Sequence, residues 1–488
     1  MNFLGVDVGS TNIKCQVMDE KGVVLFEHSN HFDMLQIGLY EYVDIVNIYD
    51  AFETMVMEAT RKFQIDSICI SSFGESFVLL DHNDQILVHP MIYTDSRGHE
   101  ELNEIITDYS KAEIFSITGS MPQGFFSLYR LLWIRKHMSN EYKRARKFMQ
   151  IADYFNYRLT DRHVTDYSLA ARSGLFDVNI KQFSKSMTDR LSISFSLFPK
   201  PLKTGEIIGK VSSSFAKRCG IKPSCQVVIG GHDQVMTAIG AGVTESHMGI
   251  DGMGTVECIT AIYDQKSENL EMGGFGYTQV PFFDKFCTYL LNFTGGSVIE
   301  WAQKNIFQNQ LSKQQMEEKT ILETSSGPSD VLTLPYFMGA ATPRQDHDIR
   351  GSLIHISLNT KSTDLYKSLL EGLTYEMRYN LETVDRFSIH LDKIIVSGGG
   401  SASWLWLHIK ANVFNQAIYP LKSKEGGITG AVMLQAVALK KVKDLNEAAL
   451  QFVRYKEPIK PQPELVLAYE KKYQKYRELY DAVKKFSQ

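Results

Sequence analysis

The residues best suited to chemistry stand at the start of the chain, in Asp7-Val8-Gly9-Ser10-Thr11-Asn12-Ile13-Lys14, between two short apolar runs. Gly9 lets the backbone approach an anion with no Cβ in the way, and the Ser10 and Thr11 hydroxyls can join backbone N–H groups around phosphate oxygens. Lys14 adds positive charge. Asp7 is placed to hold hydrated Mg²⁺, an ion that takes one or two carboxylates together with substrate phosphates. The turn reads as a phosphate-receiving loop, although an ordinary polar hairpin uses the same residue types.

Two further acids have the right setting. In Val227–Met236 an apolar strand ends at Gly230-Gly231, and Asp233 to Ile239 then reads as a helix closed by Gly240 and Gly242. A carboxylate at a helix start is held by backbone N–H groups and stays ionised, so Asp233 can take the proton of an alcohol as its oxygen attacks phosphorus. Read locally, it serves equally well as a helix cap. Glu75, in Ser72-Phe73-Gly74-Glu75-Ser76, is exposed on a turn at a strand end, where it can accept from substrate hydroxyls or simply be a solvated loop acid.

These residues need elements to position them. Asn2 to Val8 and then Ile13, Cys15 and Val17 read as an opening hairpin, with Val23 to Glu27 as a third strand. Asp44 caps a helix with apolar positions Ile45, Ile48, Tyr49, Phe52, Val56, Ala59 and Phe63, and Ser67–Ser71 is a buried strand. This order predicts an α/β domain with a mixed sheet. It points away from a nicotinamide-type unit, which would show G-x-G-x-x-G after its first strand, and leaves a Rossmann oxidoreductase a distant third reading. Residues 100–200 are mainly helical in pattern. Gly249-Ile250-Asp251-Gly252-Met253-Gly254-Thr255 then echoes Gly5 to Thr11, as if the chain began again. Glycine turns follow at Thr294-Gly295-Gly296 and Ser397-Gly398-Gly399-Gly400-Ser401, the latter leading into a helix from Ala402 to Phe414 that can face a nucleotide. The tail to Gln488 ends in a helix whose Tyr469, Tyr473, Tyr476 and Tyr480 share a face suited to packing.

At 488 residues two large domains are expected. A net charge of −4 gives no reason to expect nucleic acid or an anionic membrane. With no signal-type start and no long apolar run, a cytoplasmic protein is expected, its six cysteines buried and reduced.

Taken together, these segments resemble the FGGY carbohydrate kinases over nearly the whole chain. The matching pieces are the opening turn, Gly230-Gly231-His232-Asp233-Gln234, Gly254-Thr255, Thr294-Gly295-Gly296 and Ser397 to Ser401, in the family's order. Trp133 in its helix, Asp153-Tyr154, Pro343 with Arg350-Gly351, and Glu371-Gly372-Leu373 add to the match. The resemblance implies two actin-like, ribonuclease H-like domains, at 1–242 and 243–488, with the active site in the cleft between them. It implies ATP-dependent phosphorylation of a small sugar (a xylulose- or rhamnulose-like ketose) or polyol. Asp233 would be the base, Asp7 the Mg²⁺ residue, and Gly74, Glu75 and His232 would stand on the substrate side. Ser10, Thr11, Lys14, Gly254, Thr255, Gly295, Gly296, Gly399, Gly400 and Ser403 would meet ATP, and a homodimer is admissible.

Departures from named subfamilies leave the sugar open. Phe73-Gly74-Glu75-Ser76 stands where xylulokinases usually carry a Gln-Met-His-Gly turn, Ser76 replaces an Asp of rhamnulokinases, and Gly74 replaces an Arg of glycerol kinase. A nucleotide-dependent binding or regulatory protein on the same scaffold is the alternative, since fold does not fix function.

Overall fold

The computed structural model describes residues 1–486, and of residues 107 and 108 the backbone alone. Alternation along the strand Asn2–Val8 decides how the first half is layered. Leu4, Val6 and Val8 cluster with Ile48, Phe52 and Val56 of the helix Ile45–Thr60. Gly5 and Asp7 therefore face the other way. The helix begins at its expected cap, where the Asp44 carboxylate accepts from Asn47 N at 3.1 Å.

Asn2–Val8 pairs antiparallel with Asn12–Asp19 and parallel with Ser67–Ser72. The six-stranded sheet is completed by Val24–His31 beyond Asn12–Asp19, and by Gln226–His232 and then Ile207–Lys210 beyond Ser67–Ser72. A hairpin, Met34–Ile37 with Tyr40–Val43, intervenes before the first helix and is not foreseen by the sequence pattern. A second six-stranded sheet repeats the plan. Met248–Met253 takes the place of Asn2–Val8, with Glu257–Tyr263 antiparallel on one side and Lys393–Ser397 parallel on the other. The echo at Gly249 to Thr255 is thus a structural repeat.

The halves meet on a pair of counterpart helices. Asp233–Gly240 follows the strand Gln226–His232, and Gly426–Ala438 follows the strand Ile418–Pro420. They cross at glycines: a Cβ on Gly240 would collide with the carbonyl oxygen of Gly426, and one on Gly430 with that of Met236. Gly426–Ala438 also lies on the first sheet, where Ile428 and Val432 cover Gly5. A division at 242/243 in sequence is therefore not a division in space, because this late helix forms a layer of the first half.

The last helix, Pro463–Lys484, turns its tyrosines inward as expected, with hydroxyls donating to Glu371, Glu382, Glu376 and Asp346. Ser487 and Gln488 lie outside the described residues. No described helix is long and apolar enough to cross a membrane. The cysteines are unpaired thiols, all buried but the partly buried Cys258.

Candidate active site

The strand Gln226–His232 pairs with Ser67–Ser72 until its register shifts between Val228 and Gly231. At Gly230 a Cβ would collide with the Ile70 carbonyl, and at Gly231 it would come 2.7 Å from Ser168 Oγ. The paired glycines allow a bulge, and the bulge aims the strand end into the cleft. Asp233 emerges as the first residue of its helix, with His232 in the N-cap position, so capping is not its role. Its Oδ1 accepts from Gln234 N at 2.6 Å.

The expectation that a helix start keeps Asp233 ionised is not met. Burial, then the charges of Asp7 and Glu75, push its carboxyl up to about 8 against the pull of the Gln234 N–H and Arg172. One backbone N–H is outweighed by burial and two neighbouring acids. His232 Nε2 stands 3.2 Å from Asp233 Oδ1, and His232 Nδ1 stands 3.2 Å from Tyr289 Oη. Burial and the nearby Arg172 hold this imidazole well below its usual pKa, so it is neutral. A neutral imidazole donates from one ring nitrogen and accepts at the other, and here the two nitrogens face Tyr289 and Asp233.

Glu75 is not the exposed acid its local sequence suggests. It is 5% exposed, with φ at 62°. Arg172 Nε donates to its Oε1 at 2.5 Å, and the guanidinium closes a buried ion pair. Arg172 directly follows the short helix Tyr167–Ala171, which Asp166 caps. Its guanidinium also lies 5.2 Å from the ring centre of Phe126 and 5.8 Å from that of Tyr289. A Cβ on Gly74 would come 2.9 Å from His232 Cδ2 and 3.0 Å from Arg172 Cγ, so glycine is what lets these two side chains pass. Tyr93 stands beside Ser10, Asp233 and Glu75. From here a cavity of about 470 Å³ opens between the halves, lined among others by Tyr93, Gln123, Arg172, Thr278, Tyr289 and His347. Sequence reasoning missed Arg172, whose one local sign is a lone arginine after Leu169-Ala170-Ala171.

On the phosphate side Asp7 accepts from Ser71 Oγ at 2.7 Å, and burial raises its pKa. Lys14 stands directly opposite Asp7 in the opening hairpin, but its Nζ donates to Glu425, at 3.0 and 3.1 Å from the two carboxylate oxygens. Glu425 was also missed. Its signal is Glu425-Gly426-Gly427 ahead of a small-residue helix, a glycine-rich approach like those picked out elsewhere. Thr11 is exposed on the turn, and Ser10 lies beside Tyr93.

The second half brings its three glycine turns together. Gly296 N donates to Gly254 O at 2.7 Å and Gly295 N to Thr255 O at 3.0 Å. Gly398, at φ 83°, packs on Met253 and Gly254. Gly399 faces open space, whereas Gly400 is filled against the Trp406 ring and Ser403 caps the helix Trp404–Phe414. The repeat is not a second copy of the site, because Asp251, the counterpart of Asp7, is sealed by Lys410 Nζ at 2.6 Å, which also pairs with Glu257.

Among the described residues no three His, Cys, Asp or Glu side chains form a metal cage of their own. Acids instead gather around Asp7: after burial, the charge of Glu425 raises the pKa of Asp7, and the charge of Asp7 raises that of Asp233. That donor set fits a Mg²⁺ that arrives with nucleotide and takes its other ligands from phosphate and water.

Models of the N-terminal and C-terminal domains of the FGGY family of carbohydrate kinases match residues 2–240 and 285–439. The chain belongs to this family. It is a carbohydrate kinase, which transfers phosphoryl from ATP, with Mg²⁺, to a hydroxyl of a small sugar. The xylulose kinase of Bacillus subtilis (strain 168) is 24% identical over 492 residues, covering 99% of this chain and 97% of that one. The crystal structure of xylulose kinase from Rhodospirillum rubrum superposes with a TM-score of 0.93 at 20% identity, over 100% of both chains. That of gluconate kinase from Lactobacillus acidophilus gives 0.91 at 23% identity, over 99% of both. These FGGY kinases share the two-domain actin-like fold, and the binding-protein alternative is not favoured.

Proposed function

We propose that this FGGY kinase phosphorylates a neutral ketose or polyol, with Asp233 as the general base. The observation that carries the choice of substrate is the state of Arg172, the guanidinium that lines the cavity. It is buried and already paired with Glu75. A sugar acid entering this pocket would meet a carboxylate and a committed cation, whereas hydroxyls can donate to that carboxylate.

In this reading the sugar sits in the cavity beside Tyr93, Arg172 and Tyr289, with Glu75 accepting from its hydroxyls. Asp233, open to the cleft over 33% of its side chain, takes the proton of the attacking hydroxyl. In its ionised form a carboxyl with a raised pKa is a better proton acceptor than an ordinary one. His232 stands beside Asp233, with Nε2 3.2 Å from Oδ1. Lys14 and the glycine turns at Gly254-Thr255, Gly295-Gly296 and Gly398-Gly399 receive the ATP phosphates. Mg²⁺, held by Asp7, would offset phosphate charge. Positioning then supplies most of the catalysis, because this transfer asks little covalent work of the protein.

The cleft is completed by one chain, so the same chemistry serves a monomer or a homodimer. A cytoplasmic setting, where ATP is at hand, belongs to the same reading. Assigning 1–242 and 243–488 to sugar and nucleotide follows the placement of the glycine turns, with the helix Gly426–Ala438 shared. The test is an ATP-dependent screen of ketopentoses, ketohexoses and pentitols against the matching aldonates. A neutral sugar should exceed every aldonate in kcat/KM by at least about a hundredfold. An aldonate as best substrate would overturn the proposal.

A further inference from the structure

Each of the crossing helices has an acid at its start: Asp233 opens one, and Glu425 immediately precedes the other. The first has a role in the reaction, and the second has none so far. Glu425 holds Lys14 with both carboxylate oxygens, at 3.0 and 3.1 Å. The pair lines an open pocket with Gln16, Glu27 and His28, with 34% of the lysine side chain and 26% of the glutamate exposed. An ion pair so exposed is weak and readily exchanged.

Lys14 serves a second carboxylate as well. It stands opposite Asp7 across the hairpin, and it counters there the negative field that Glu425 adds. The backbone just past Glu425 closes on the same acid, since a Cβ on Gly427 would come 3.0 Å from Asp7 Oδ1. A triphosphate, with several charged oxygens, competes with a single carboxylate for Lys14. Once it wins, the charge of Glu425 acts on Asp7 without the Lys14 ammonium to offset it.

We infer that Glu425 is an exchangeable ligand of the divalent cation: it holds Lys14 before nucleotide binds, yields it to the phosphates, and then faces the cation with Asp7. The inference rests on the reading of Asp7 as the metal-side carboxylate. It gives the Lys14–Glu425 pair a function, which is to make nucleotide and cation each favour the other's entry. Such coupling is reciprocal by linkage.

Calorimetric titration with a non-hydrolysable ATP analogue, without sugar, in Mg²⁺ and in EDTA, tests this. In Glu425→Gln the analogue should bind about fivefold to tenfold tighter in EDTA, because Lys14 is free, and the gain from Mg²⁺ should shrink by at least about fivefold. A Mg²⁺ gain within about twofold of the wild-type value overturns the inference. Lys14→Met supplies an independent reading should the first variant fold poorly. Mn²⁺ alone, followed by electron paramagnetic resonance, should bind it about fivefold tighter than wild type, and unchanged binding again overturns the inference. Asp7→Asn separates the levels. If it loses the Mg²⁺ gain while Glu425→Gln keeps it, the role of Glu425 alone fails. If Asp7→Asn keeps the gain, the reading of Asp7 fails.

Discussion

Tyr289 Oη, on the second half, stands 3.2 Å from His232 Nδ1, on the first. Through that contact a phenol on one wall of the cleft holds the imidazole whose other nitrogen stands 3.2 Å from Asp233 Oδ1. Tyr289→Phe keeps the ring and removes the hydroxyl. Its kcat for sugar phosphorylation should fall about tenfold, with KM for ATP within about twofold of wild type. A coupled ADP-release assay reads both, and an unchanged kcat would show that the contact does not position the base.

Asp233→Asn should lower kcat by about 10²- to 10⁴-fold while leaving affinity for the ATP analogue intact. It should also stabilise the protein in a pH-dependent way. The folded-state pKa of about 8 lies above the ordinary 3.8, so the folded state binds the extra proton and stability falls as pH rises between those values. The variant escapes that loss. Its Tm should exceed that of wild type by about 2–4 °C near pH 8 and match it near pH 4, as scanning calorimetry will show.

Glu75→Gln should raise the sugar KM by at least about tenfold and leave the ATP KM unchanged, because a carboxylate accepts more strongly than an amide. Arg172→Met acts differently. It strands the Glu75 carboxylate in a buried site, at a cost of about 3–5 kcal/mol, and should lower Tm. The double variant should recover part of that loss in denaturant titration, since the stranded charge is then gone.

Gly430→Ala places a methyl group against the Met236 carbonyl, where the two central helices touch. The helices must part, at a cost of about 1–3 kcal/mol or more. Because Asp233 and Glu425 stand at their starts, kcat should fall together with stability. A variant with normal Tm and normal turnover would show that the crossing is not tight in solution.

Much of the fold was legible in the sequence because it is written in short-range pattern. Period-two alternation marked Asn2–Val8, the Asp44 cap marked the helix Ile45–Thr60, and the echo at Gly249 marked a repeat that the second sheet confirms. The hairpin at Met34–Val43 went unforeseen because its residues are largely exposed and carry little alternating burial. Gly230 and Gly231 were visible as a turn, but their purpose, a bulge with no room for a Cβ, appears only once Ile70 and Ser168 lie against them.

By itself, the sequence determined the kinds of chemistry on hand: a phosphate turn with an acid, a base at a helix start, glycine turns after strands, and the family to which these belong. The tertiary structure decided which charges meet. Glu75 and Arg172 are 97 residues apart in the chain, and Lys14 and Glu425 are 411 apart. No local spacing encodes such pairs, because they depend on how whole helices and sheets stack. The same holds for the ionisation of Asp233. A helix start alone would keep it charged, but burial, with Asp7 and Glu75 beside it, pushes its carboxyl up to about 8.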